Sequence, residues 1–181
     1  MSKTKSNSLL KLVLSAMFLA LGLVLPFLTG QIKEIGNMLL PMHIPVMLCG
    51  LICGWQYGLI IGAIVPIMRS ALFAMPIMFP SAISMAFELA TYGFVIGYLF
   101  SHAKWKCIKS LYRCLLIAMI SGRVVWGIVQ CCLLGLGSNG FTLTAFLSGA
   151  ILKAIPGIVL QLVLIPAVML ILGKTHLIHF K

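Results

Sequence analysis

Leu12-Val-Leu-Ser-Ala-Met-Phe-Leu-Ala-Leu-Gly-Leu-Val-Leu-Pro-Phe-Leu28 decides which solvent this chain folds in. The stretch holds no charge. With Ser8 to Leu10 added as a lead-in, a helix rising about 1.5 Å per residue crosses a hydrocarbon core of about 30 Å. The run is too long for the apolar part of a signal peptide and has no clear small-residue cleavage site. It reads as a retained membrane helix over residues 8–28.

Runs of the same kind recur along the chain. A second covers 38–53, interrupted by Pro41 and Pro45; two prolines four apart in a short apolar run suggest a kinked or tilted span. Further spans are expected at 55–72, 81–100, 113–136 and 146–172, with Phe73 to Pro80 as a proline-punctuated connection. The expectation is an all-α polytopic bundle of six transmembrane helices forming one integral membrane domain, 1–181. Composition agrees, since 62% of the residues are hydrophobic and 8% charged, against roughly 45–50% and about 25% in soluble domains.

The net charge of +11 invites a nucleic-acid reading, which the placement of the charges opposes. Lys3, Lys5 and Lys11 lie in and just after the N-terminal tail. Lys104, Lys106, Lys109 and Arg113 lie between spans four and five, and Lys174 and Lys181 follow span six. All three groups fall on one side of a six-span bundle. The opposite connections, 30–37, 73–80 and 137–145, hold only Lys33 and Glu34 between them. The positive-inside rule then makes both termini cytoplasmic. No basic patch interleaved with aromatics forms a nucleic-acid groove.

A charge in the hydrocarbon interior costs about 2.5–3.5 kcal/mol or more, so each is a functional candidate. The candidates are His43, Arg69, Glu88, Arg123 and Lys153, with Gln130 and Gln161 as neutral companions. In the six-span arrangement most of them fall in the outer half of the bundle. Arg123, Trp126 and Gln130 share one face of helix five, at i, i+3 and i+7, and Glu88 and Tyr92 are at i and i+4 on helix four. A face carrying a guanidinium, an indole and an amide resembles a ligand-binding wall. Glu88 could instead pair with Arg69, Arg123 or Lys153 simply to hold the bundle together. That pairing leaves two cations over, an excess that an anionic ligand such as a carboxylate would relieve. His43, between two prolines, could equally bond a carbonyl that a proline has freed.

The remaining motifs read as structural. Gly58/Gly62 and Gly93/Gly97 are small-residue packing surfaces. Cys49, Cys53, Cys107, Cys114, Cys131 and Cys132 have no zinc-site spacing and read as small apolar residues.

Helix one carries Ala16-Met-Phe-Leu-Ala20, two alanines four apart on one face. Together with six short spans and polar residues in the outer half, the chain resembles the substrate-binding (S) subunits of energy-coupling factor (ECF) vitamin transporters. The resemblance covers nearly the whole chain. It is strongest in Ala16 to Pro26, in Gly36-Asn37-Met38-Leu39-Leu40-Pro41-Met42-His43-Ile44-Pro45-Val46, and in Gly62 to Glu88. It implies a pocket near the outer face, built by helices four to six and the outer loops, that binds a small water-soluble vitamin. Arg69, Glu88, Tyr92, Arg123, Trp126, Gln130 and Lys153 would line it, with Asn37 and His43 at its mouth. Ala16 and Ala20 would dock onto a membrane coupling subunit, which carries two ATPases, in a prokaryotic plasma membrane. The Leu-Leu-Pro-Met-His-Ile-Pro stretch resembles pantothenate transporters, and the excess of cations fits a carboxylate, with pyridoxine or another small vitamin left open.

Other functions fit less well. An enzyme would need a nucleophile with a base or acidic metal ligands, and the chain has only two acids. No catalysis and no cofactor are therefore expected. Without a Walker A motif, ATP hydrolysis falls to partners. A stand-alone ion-coupled carrier using Glu88 as a proton relay is the main rival, although such carriers are usually larger and built from repeats.

Overall fold

A computed structural model describes residues 3–29, 41–103, 107–135 and 155–174, and every regular element among them is helical. Helix α1 covers Lys3–Val24 and tightens into a 3-10 turn over Leu25–Thr29. It is followed by α2 (His43–Cys53), α3 (Trp55–Phe73), a wide turn (Met78–Ala82) and α4 (Ile83–His102). Helices α5 (Ile108–Gly135) and α6 (Ile155–Lys174) complete the set. All but α2 are long and apolar enough to cross a membrane. Leu72, Ile120, Ile128, Val163 and Ile171 stand exposed on their outward faces. Apolar side chains turned outward on so many helices belong against lipid, and the chain is a multi-pass membrane protein.

The prolines of the second run do something other than kink a span. Pro41 lies in a turn before α2, and Pro45 sits in its first turn, where an amide is not needed for the helical ladder. The regular helix therefore begins at His43, and 38–40 lie outside the described residues. At 11 residues α2 is about 16 Å long, half of what a crossing needs. It is also the most enclosed element, with every residue from His43 to Cys53 buried except Ile52. A helix that is apolar on all sides belongs inside a bundle.

The other expected boundaries shift by a few residues. Helix α5 starts at Ile108 rather than near 113, because Leu111 is fully buried while Lys109 and Arg113 stay exposed. Residues 146–154 of the sixth expected span lie outside the described residues, and α6 runs on to Lys174.

Glycines set the register of the inner helices. A Cβ at Gly58 would meet the Gly93 carbonyl oxygen at 2.7 Å, and one at Gly93 would collide with the Gly58 carbonyl. One turn further, a Cβ at Gly62 would strike the Leu89 backbone. These pairings run in opposite senses along the two helices, so α3 and α4 are antiparallel and touch backbone to backbone. Helix α2 closes onto the same seam, since a Cβ at Gly97 would lie 2.7 Å from the Gly50 carbonyl oxygen. The small-residue surfaces thus pack helices, as their sequence suggested.

A single apolar core joins Phe18 of α1, α2, Val65 of α3, Leu89 and Ile96 of α4, Leu115 of α5 and Ile165 of α6. Cys49, Cys53 and Cys114 belong to it, whereas Cys131 and Cys132 are exposed and Cys107 is half-buried. Use as small apolar core residues therefore describes three of the six.

Candidate functional site

Glu88 lies one and a half turns into α4 and is 1% exposed. One of its oxygens gathers side chains from three helices. The Tyr92 hydroxyl, one turn along α4, donates to Oε1 at 3.0 Å. Nη1 of Arg123, on α5, reaches the same oxygen at 3.2 Å. Nε2 of His43, the first residue of α2, stands 3.7 Å from it, and the His43 and Tyr92 rings lie 5.2 Å apart at their centroids.

Two features of the backbone place these groups. Helix α2 begins at His43, which sets that imidazole beside Glu88. On α5, Gly122 leaves room for the Tyr92 ring, because a Cβ there would come within 2.8 Å of the ring carbon that bears the hydroxyl. A glycine inside a helix costs about 1 kcal/mol against alanine and often marks a close approach. That was the one signal by which the sequence could have marked Gly122, and the candidate residues chosen from the sequence did not include it.

The site keeps unused hydrogen-bonding capacity. Neither ring nitrogen of His43 has a hydrogen-bond partner among the described residues, although the side chain is 1% exposed. Nε and Nη2 of Arg123 are likewise buried and unpartnered, as are Gln130 Oε1 and Gln161 Nε2. Native proteins leave few such groups. On a guanidinium, Nε and Nη2 form one edge whose two N–H bonds point the same way, the fork that grips a carboxylate in two parallel bonds. Arg123 turns its other nitrogen, Nη1, to Glu88 and keeps this fork free of protein acceptors among the described residues. Helix α2 also begins in a buried setting with no side-chain cap, and its positive dipole end lies beside the cluster.

The other sequence candidates are distributed as follows. Trp126 and Gln130 continue the Arg123 face along α5, both half-buried. Arg69 is buried elsewhere. Its Nη1 donates to the Leu23 carbonyl at 2.8 Å, and its guanidinium carbon lies 5.3 and 5.7 Å from the ring centroids of Phe27 and Phe73. The excess of positive charge is therefore divided. Arg123 and Glu88 neutralise each other, while Arg69 closes the end of α1, where Pro26 has no N–H to offer the preceding turn. Asn37 and Lys153 lie outside the described residues. Among the described residues no group of three or more His, Cys, Asp or Glu side chains could hold a metal ion.

Ala16 and Ala20 are both exposed, on the side of α1 opposite the buried Ser15, Phe18 and Gly22. They belong to a stripe with Leu9, Val13 and Val24 that no described helix covers.

Neither a curated protein nor a solved structure matches the chain. The family of ECF transporter substrate-specific components matches it over residues 10–169, from α1 to the last turns of α6. The match takes in most of the chain, and the chain belongs to the substrate-specific components of ECF transporters.

Proposed function

We propose that this subunit captures a small water-soluble vitamin bearing a carboxylate, with pantothenate the best candidate, at the outer side of a prokaryotic plasma membrane. It would then deliver the vitamin with a membrane coupling subunit and two ATPases, both of its own termini being cytoplasmic. The observation that carries the ligand class is the buried Nε/Nη2 fork of Arg123. A guanidinium edge with two parallel donors and no protein acceptor among the described residues fits a carboxylate better than any neutral group. His43, Glu88, Tyr92, Trp126 and Gln130 complete the proposed contacts from the described residues, and Asn37 and Lys153 are added from the sequence. The exposed Ala16 and Ala20 support docking through α1, since small side chains let a second helix approach closely.

Thermal unfolding in detergent against a panel of B vitamins tests this reading. A ligand that binds only the folded state adds about 4.1 kcal/mol of stability at a thousand times its dissociation constant. Pantothenate is expected to raise the melting temperature most. Arg123→Ala should weaken its binding by about 1–3 kcal/mol, the worth of charge-assisted hydrogen bonds. A neutral vitamin as the strongest hit would keep the family and remove the carboxylate.

A further inference from the structure

The charge count at the cluster leads one step further, on the reading that a carboxylate occupies the Arg123 fork. Among the described residues Glu88 and Arg123 already cancel, so an added carboxylate would leave a net negative charge among them in a dry setting, where uncompensated charge is costly. Something must balance it. We propose that the carboxylate binds together with one proton, which is taken up by His43.

The geometry singles out His43 among the groups able to take it. Its imidazole is 1% exposed, neither ring nitrogen has a hydrogen-bond partner among the described residues, and Nε2 is 3.7 Å from Glu88 Oε1. Protonation turns both ring nitrogens into donors, which would give Nε2 a charged partner already in place. Glu88 is the poorer acceptor, because its Oε1 is already engaged by the Tyr92 hydroxyl and by Arg123 Nη1.

Among the described residues the titratable groups around α2 are few. Glu88 and Tyr92 face His43 from α4, with Arg123 reaching the same carboxylate from α5. Arg69 of α3 is engaged with Leu23, Phe27 and Phe73. Residues 155–173 of α6 contribute no acid or base, and the described part of α1 beyond Lys11 has none either. The balance is simple: a buffer acid gives up one proton, an imidazole nitrogen gains it, and no other bond changes.

Titration calorimetry of the purified wild-type protein with pantothenate, in buffers of differing ionisation enthalpy, tests the proposal. The expected result is uptake of about one proton per pantothenate near neutral pH. The affinity should fall as pH rises, by up to about tenfold per pH unit, because the bound state is the protonated one. His43→Gln should bind more weakly, with no proton uptake and no such slope; should that variant not fold, the wild-type buffer series alone decides. Pantothenol, the neutral alcohol, should bind weakly and without protons. Tight pantothenate binding with enthalpies independent of buffer would overturn the inference and leave the carboxylate reading standing. Absence of pantothenate binding, or equally tight binding of pantothenol, would overturn both.

Discussion

Oε1 of Glu88 accepts from the Tyr92 hydroxyl at 3.0 Å and pairs with Arg123 at 3.2 Å, so the position of one ring governs the position of two charges. Gly122 makes room for that ring. Gly122→Ala should push the Tyr92 ring aside, destabilise the protein by about 1–3 kcal/mol as overpacking does, and weaken ligand binding as well. Paired measurements of melting temperature and affinity check this; an unaltered affinity would separate Tyr92 from the site. Part of this arrangement was legible in the chain. Charges inside a membrane helix announce themselves, and helical spacing correctly put Glu88 with Tyr92 and Arg123 with Trp126 and Gln130. Which cation meets Glu88 was not legible, because that depends on how neighbouring helices slide past each other. Helical spacing also says nothing of a carbonyl left open at the end of another helix, which is where Arg69 went.

Among the elements, α1 and α3 meet through that carbonyl. The Arg69 guanidinium donates to the Leu23 carbonyl oxygen at 2.8 Å and sits against Phe27 and Phe73, whose rings meet edge to face at 4.7 Å. Arg69→Met keeps most of the bulk but removes the donor and the cation. It should cost about 1–3 kcal/mol from the lost hydrogen bond to a charged group and the lost cation–π contact. Thermal unfolding in detergent measures it, and a loss under about 0.5 kcal/mol, the scale of a neutral surface change, would mean that the contact does not hold α1. Five of the helices were plain from apolar run length. The start of α2 was misjudged because two prolines in an apolar run can kink a helix or mark its beginning. Pro45 falls in the first turn, where it interrupts no hydrogen bond, and only three-dimensional packing tells the two cases apart.

For the molecule as a whole, the outward stripe of α1 and the inward cluster are separate surfaces on one bundle. Ala16→Trp with Ala20→Trp should therefore abolish uptake by the assembled transporter while leaving ligand binding by the isolated subunit unchanged. Vitamin uptake in cells, set against calorimetry of the purified chain, makes the comparison. Loss of both would show that the stripe supports the fold instead of docking. The touching backbones of α3 and α4 carry a mechanical consequence. Where Gly58 and Gly93 meet with no side chain between them, there is no layer of atoms to shear, as there is between helices separated by leucines. A subunit that moves during its cycle can turn, tilt or bend elsewhere, but this pair has to travel as one stiff plank, with Glu88 and Tyr92 fastened along its length.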